Sequence, residues 1–276
     1  MTSLPPNASD QRPRRVFLVG CPRSGTTLVQ SLLAAGEGVT SFTESHFFDR
    51  VFPPAPLDRW LVREPTARLA AFRAENGLED RGTGADEAAG EGPAEAAAAF
   101  VALLDQTARD RSCWCWVEKT PDHLFRIPLI RRYLPEAEFV HVLREPAATV
   151  RSLVRASRDW GNPRSELFCA IKWLVCARRS RRYLRAAGHT AVFYEDLVAD
   201  PETAARSLYQ ALGLAWSPDI MERYRDVARD LVVSTETWKN RNFGAIEAGA
   251  PAATGRSGLI DRLLERTWRD LHGARG

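Results

Sequence analysis

Arg15-Val16-Phe17-Leu18-Val19-Gly20-Cys21-Pro22-Arg23-Ser24-Gly25-Thr26-Thr27 is the stretch that decides the architecture. Residues 15–19 form a short apolar run, as a strand buried on both faces does. From Thr26 to Ala35 the chain reads as a helix, with Leu28, Leu32 and Leu33 on one apolar side. Between them, Gly20–Thr27 has the spacing of a P-loop, with Thr26 at the usual lysine position. Such a loop works by aiming backbone N–H groups and a helix N-terminus at an anion, and those donors survive without the lysine. Arg23 adds positive charge from within the loop, and Thr26 and Thr27 add hydroxyls. Triphosphate chemistry transfers less easily. The lysine that reaches the β- and γ-phosphates is missing, and no apolar strand ends in a convincing magnesium-binding aspartate.

Working outward, strand and helix alternate. Leu57–Glu75 reads as helix with Pro65 interrupting or restarting it. Gly77–Gly92 is Gly, Ala, Asp and Glu with little to bury and reads as a flexible loop, and a helix resumes near Ala94. Cys113–Val117 is a strand candidate running into Glu118-Lys119-Thr120-Pro121, and Asp122 is placed to cap a helix over His123–Tyr133. Glu138–Leu143 is a strand ending at Arg144, and Pro146 opens the next helix. Glu166–Ala187 is a long helix closed by Gly188, Thr190–Tyr194 a further strand, and Pro201–Leu212 a helix. Four or more strand–helix repeats with short apolar strands predict an α/β fold. It is expected to be a P-loop-like three-layer α/β/α arrangement with a mostly parallel central sheet and helical insertions. Residues 1–14 are expected to be a polar, disordered lead and 15–276 a single domain, with the part from 215 to 276 expected to be helical and irregular.

Bulk properties narrow the function. The 276 residues carry 38 basic and 35 acidic groups, a formal charge of +3, so nothing in the bulk charge points to nucleic acid and any anion site must be local. Of the basic residues only Lys119, Lys172 and Lys239 are lysine. The five cysteines fit neither a disulfide framework nor a zinc ribbon. Cys113 and Cys115 share a face if their strand reading holds, but no second cluster completes a metal set, and we expect no metal. Reduced thiols favour a cytoplasmic setting. No run of eighteen apolar residues is present, so no membrane span is expected.

Arg144 closes a strand, and Ser152 follows about two helical turns into the next helix. Ligands of open α/β sheets bind beyond the strand ends, so this pair suggests a second anion site near the first. Together these residues resemble the sulfotransferase superfamily that uses 3'-phosphoadenosine 5'-phosphosulfate (PAPS). PRSGTT looks like its 5'-phosphosulfate segment and LREPAATVRSL like its 3'-phosphate segment. WVEKTPDHL and YEDLVADPE are similar to blocks of its bacterial, carbohydrate and tyrosylprotein branches. The resemblance runs from about Arg15 to Leu214.

The resemblance implies in-line sulfuryl transfer, without metal, from PAPS to an acceptor hydroxyl or amine (an EC 2.8.2.- transferase), with 3'-phosphoadenosine 5'-phosphate (PAP) as product. It implies that Arg23, Ser24, Gly25, Thr26 and Thr27 hold the 5'-phosphosulfate, and Arg144 with Ser152 the 3'-phosphate. Negative charge on the sulfuryl oxygens and leaving phosphate must be stabilised, for which Lys119 and Arg23 are the candidates. A base must take the acceptor's proton. The tyrosylprotein branch points to Glu44, and His46 is the rival on chemical grounds; if the segment is extended, both share a face. His123 is placed to touch acceptor or cofactor, or to pack, His141 reads as a packed core histidine, and Glu195-Asp196 as bracing. In the tail, Lys239 and Arg241 of WKNRNFG are the candidate cofactor loop. Phe42, Phe47, Phe48, Phe52 and Trp60 either line an apolar acceptor pocket or belong to the core. A small-molecule or lipid acceptor is expected, as in natural-product or lipid tailoring. The alternatives are a small-molecule kinase or NTPase, and a non-catalytic nucleotide-binding protein.

Overall fold

The computed structural model describes residues 12–52, 64–78, 92–230 and 258–274. Five strands form one sheet: β1 (Arg14–Gly20), β2 (Val39–Ser41), β3 (Cys115–Lys119), β4 (Glu138–Leu143) and β5 (His189–Phe193). Their order across the sheet is β2-β3-β1-β4-β5, and every pairing is parallel. Parallel strands need crossovers, and the helices that make them cover both faces.

The two-residue pleat sorts each strand between two cores. In β1, Val16 and Leu18 join the layer that holds Val29, Leu32 and Leu33 of α1 (Thr26–Ala34) and Tyr209 of α9 (Pro201–Ala211). Phe17 and Val19 join the opposite layer, with Phe100 and Leu104 of α4 (Pro93–Asp110) and Trp173 of α7 (Glu166–Arg181). The other described helices are α2 (Phe47–Arg50), α3 (Pro65–Glu75), α5 (Ile127–Tyr133), α6 (Pro146–Asp159), α8 (Tyr194–Ala199), α10 (Ile220–Asp230) and α11 (Gly258–His272). The result is the three-layer α/β/α sandwich expected, with a sheet that is parallel throughout its described strands.

Several local expectations are corrected. Cys113 precedes β3 rather than lying in it, after a turn in which Ser112 has φ 54°. Cys113 and Cys115 therefore pack into opposite layers and do not share a face. Asp122 caps no helix: Pro121–Phe125 is a 3-10 turn entered from Thr120, and Asp122 instead accepts from Lys172 Nζ at 2.5 Å. Lys172 is thereby tied down and lies over the Phe125 ring. Helix α7 stops at Arg181, six residues short of the expected end, although Gly188 does take a left-handed turn with φ 75°. Phe42, Phe47, Phe48 and Phe52 are core, each at most 4% exposed. Phe47 stacks on Phe100 with ring centroids 4.3 Å apart, and burying each ring contributes roughly 1.5–3 kcal/mol. They do not line an acceptor pocket. Trp60, most of the Gly77–Gly92 loop, Lys239 and Arg241 lie outside the described residues.

His141 is the packed histidine expected. Its Nε2 lies 2.9 Å from His189 Nδ1 and its Nδ1 lies 3.1 Å from Ser180 Oγ. Burial, then the neighbouring His189, pushes His141 down to about 3. Burial, then Arg131, lowers His189 to about 4. Both rings stay neutral in the folded chain, whereas the unfolded chain protonates them below about 6.5. Their contribution is complete above that pH and is lost as pH falls toward the folded values. The urea midpoint is expected to drop between pH 6.5 and 5, and a His141→Gln/His189→Gln variant to show a shallower drop over that interval.

Candidate active site

Three neighbouring strands, β3, β1 and β4, deliver their carboxyl ends to one crevice. Leu18 of β1 is in register with Lys119 of β3, and Gly20 with Val142 of β4. Lys119, the phosphate-binding loop and Arg144 therefore emerge side by side, where open α/β sheets place their ligands.

The loop after β1 turns on two left-handed residues, Arg23 (φ 70°) and Gly25 (φ 97°). At Gly25 a Cβ would also meet the Tyr194 ring at 2.4 Å, so glycine is required twice over. Thr26 and Thr27, both buried, open α1. The first N–H of α1 to reach a carbonyl is that of Val29, on Gly25 O at 3.2 Å, and no side chain caps the helix. The N–H groups of Thr26, Thr27 and Leu28 are thus left for an anion. Ser24 Oγ is buried and makes no hydrogen bond among the described residues. Cys21 is an inert member of this loop: its hydrogen bond with Cys176, then burial, pushes its thiol well above the ordinary range.

Arg144 and Ser152 sit against the loop. Arg23 Nε donates to Ser152 Oγ at 3.3 Å, and Arg144 Nη1 lies 3.4 Å from Arg23 O. Burial and then the charge of Arg144 lower Arg23, opposed by Glu44. Two guanidiniums crowd one half-buried corner, and Arg144 Nε is buried without a hydrogen-bond partner among the described residues. Arg144 is held from behind by the Tyr194 ring at 4.0 Å and by Trp173, whose indole N–H donates to Arg144 O at 3.0 Å. The N-terminus of α6 is already satisfied by Glu145, which accepts from Ala147 N and Ala148 N at 2.8 and 2.7 Å. Glu195 in turn accepts from Glu145 N at 2.9 Å, which makes it a brace. An anion beside Arg144 would therefore meet side chains, whereas one at the loop would meet a helix end.

Glu44 lies beside this corner, between β2 and α2. Its Oε1 accepts from Lys119 Nζ at 2.5 Å, and its Oε2 is 3.4 Å from His46 Nε2. His46 takes φ 50° at the entry to α2, which turns the chain so that its ring faces Glu44 on one side and Asp49 on the other. His46 Nδ1 is 3.2 Å from Asp49 Oδ2. Burial opposes its charge, but the Asp49 and Glu44 carboxylates that accept from its ring prevail and raise His46 to about 9. At neutral pH it is an imidazolium.

A second charged group lies underneath. His123 and Glu118 are fully buried, with His123 Nδ1 2.9 Å from Glu118 Oε2. Glu118 Oε1 accepts from Ser45 N, Ser45 Oγ and Thr120 Oγ1 at 3.2, 2.7 and 2.6 Å. Burial alone would raise Glu118, but the His123 charge and these hydrogen bonds lower it. His123 Nε2 is 3.4 Å from Asp49 Oδ1. The Phe48 N–H also lies 3.2 Å from that nitrogen, a contact that suits a neutral ring. With a carboxylate on each ring nitrogen the ring is the cation nonetheless, raised to about 9 against the pull of burial.

The predicted residues Arg23, Ser24, Gly25, Thr26, Thr27, Arg144 and Ser152 thus come together around one corner, with Glu44, Lys119 and His46 beside it. Sequence reasoning missed Tyr194, Asp49 and Glu118. The available signal for Glu118 was a pair of charges, Glu118-Lys119, inside a five-residue strand that is buried throughout.

Comparison with known proteins shows the family and the fold. A protein-tyrosine sulfotransferase A of Caenorhabditis elegans is 23% identical over 230 residues, covering 79% of this chain and 55% of that protein. The omega-hydroxy-beta-dihydromenaquinone-9 sulfotransferase Stf3 of Mycobacterium bovis is 27% identical over 124 residues, covering 41% of this chain and 32% of that protein. The chain thus spans about half the length of the first and a third of the second. Mouse sulfotransferase SULT7A1, solved with PAP, shares the fold: TM-score 0.56 at 14% identity, covering 96% of this chain and 88% of that one. The Sulfotransferase family profile matches residues 13–218, most of the chain and all five strands, and the chain belongs to that family.

Proposed function

We propose that the chain transfers a sulfuryl group from PAPS to a hydroxyl or amine of an acceptor by in-line displacement, with Glu44 as the base. The observation that carries this reading is the corner at the mouth of the phosphate loop. There two guanidiniums, a buried serine hydroxyl without a partner and an uncapped helix N-terminus all await negative charge. That donor set fits a ligand with two separated phosphate-type groups. Arg23–Thr27 would hold the 5'-phosphosulfate, and Arg144 with Ser152 the 3'-phosphate. PAPS supplies the activated sulfuryl group, and PAP is what remains. The chain's own tasks are to neutralise charge on the sulfuryl oxygens and leaving phosphate, and to take the acceptor's proton.

Lys119 and Arg23 suit the first task, since both lie within electrostatic reach of Glu44. Glu44 suits the second. His46, the rival base, is already an imidazolium at neutral pH, which supports the carboxylate. The two relatives are named for protein tyrosine and for omega-hydroxy-beta-dihydromenaquinone-9; the second supports a hydroxyl of a small molecule or lipid, which is the acceptor we propose. Among the described residues no helix is long and apolar enough to cross a membrane. A cytoplasmic setting goes with this reading, because all five cysteines are free thiols. We take 15–276 as one unit, since Trp268 of α11 packs on Trp173, which orients Arg144.

Calorimetric titration tests the reading. PAP is expected to bind, and Arg144→Ala to weaken it by about 10- to 100-fold, the worth of a charge-assisted hydrogen bond. No binding of PAP, or a preference for Mg-ATP, would overturn it.

A further inference from the structure

Glu44 carries two cations in the ground state, Lys119 on Oε1 and His46 on Oε2. Lys119 is also needed at the leaving phosphate under the proposed reaction. A base held by Lys119 alone would lose its orientation at the moment of transfer. The group that holds its other oxygen therefore matters, and so does what holds that group.

His46 is the first link of a row in which carboxylates and imidazoles alternate. From the crevice inward it runs Glu44, His46, Asp49, His123, Glu118, with closest approaches of 3.4, 3.2, 3.4 and 2.9 Å. The row draws on three elements, the β2–α2 segment, the 3-10 turn at Pro121–Phe125 and strand β3. Its outer end has solvent access, with 29% of the His46 side chain exposed, and its inner end has none. Each imidazole lies between two carboxylates, with one close contact apiece, His46 Nδ1 to Asp49 and His123 Nδ1 to Glu118. The 3.4 Å approaches, His46 to Glu44 and His123 to Asp49, are ion pairs, and Asp49 Oδ1 makes no hydrogen bond among the described residues. The inner end is anchored by Ser45 and Thr120, the residues beside Glu44 and Lys119 in the chain. A buried ion pair of this kind is poor evidence for stability, since apolar residues of similar volume serve as well or better. A positional task explains it.

We propose that Asp49, His123 and Glu118 are positioning residues for the Glu44 base, acting through His46 to hold the carboxylate by its second oxygen. The proposal rests on Glu44 being the base. The charged groups facing the row are Lys119 and Arg23 at Glu44, and Arg126 at Asp49.

The test is a ring-nitrogen NMR titration of the full-length chain, wild type and Asp49→Asn, with turnover measured on both. Asp49 is half-buried and its amide is isosteric, so the fold is expected to survive, as retained PAP affinity would register. In the wild type His46 is expected to titrate near 9. In Asp49→Asn the midpoint is expected to fall well toward the ordinary ~6.5. Turnover is expected to fall about 10- to 100-fold, as for a misplaced catalytic group, with the KM for PAPS unchanged. Asp49→Glu is expected to restore part of both. A His46 midpoint that is ordinary in the wild type, or unmoved in Asp49→Asn, overturns the row. A shifted midpoint with full turnover overturns the positioning role. Failure of the underlying reading shows separately, as full turnover in Glu44→Gln.

Discussion

Glu44→Gln is expected to abolish nearly all turnover while the nucleotide still binds. The amide matches the carboxylate in shape but takes no proton, so the acceptor oxygen must attack without general-base assistance, a loss of about 10²- to 10⁴-fold in kcat. Two features favour a clean result. Glu44 sits between β2 and α2 rather than in the phosphate loop, so the donors of Arg23–Thr27 are untouched. The substitution also removes the carboxylate charge 2.5 Å from Lys119, so less negative charge opposes an incoming anion. PAP affinity should therefore hold or rise. The measurement is kcat and KM on whichever alcohol or phenol a hydroxyl panel identifies, alongside calorimetry with PAP. Full turnover in the glutamine variant would reject Glu44 as base.

Lys119→Ala has the second largest expected effect. Lys119 is only 2% exposed, at the end of a strand buried on both sides, so its ammonium is preorganised and poorly screened. Charge stabilisation from such a site is worth about 10²- to 10³-fold in kcat. If Lys119 acts chiefly on charge that develops during transfer, kcat falls much more than PAP affinity. The reverse pattern would make it a binding residue. Because it also holds Glu44, the two substitutions are expected to be strongly non-additive, with the double variant little worse than Glu44→Gln. Lys119→Arg should not restore activity, since a planar fork cannot occupy the position of a compact ammonium.

The legible and illegible parts of the molecule differ for physical reasons. Strand β4 was read with its observed bounds because a strand covered on both faces is mostly apolar, here at Phe139, Val140, Val142 and Leu143. The phosphate loop was legible because a strand, a glycine turn and a helix N-terminus follow one another in the chain. Strand β2 went unread: three residues, Val39–Ser41, are too few to show a period. The phenylalanines from 42 to 52 were ambiguous, since apolar residues line pockets and cores alike, and only their burial decided the matter. The positions around Glu44 were hardest. Asp49, Glu118 and His123 come from separate elements, and fully buried charges run against the rule that charged residues stay outside. Tyr194 closes the phosphate corner against both Gly25 and Arg144, yet nothing local marks it, because its partners are more than 150 and exactly fifty residues away respectively in a chain that only the sheet brings together.

The position of β1 at the centre of the sheet has a consequence for how the chain is made. Its first pairing partner, β3, begins a hundred residues later, and its second, β4, later still. During synthesis, at about 5–20 residues per second, the apolar strand that leads into the phosphate loop spends several seconds with both edges unpaired. Such an edge invites pairing with other chains. The helix that follows can form at once, but the strand cannot be sheltered until Cys115–Lys119 arrives. Yield in a cell should therefore depend on chaperone capacity more than on the stability of the finished protein, and slowing translation before residue 115 should lower it.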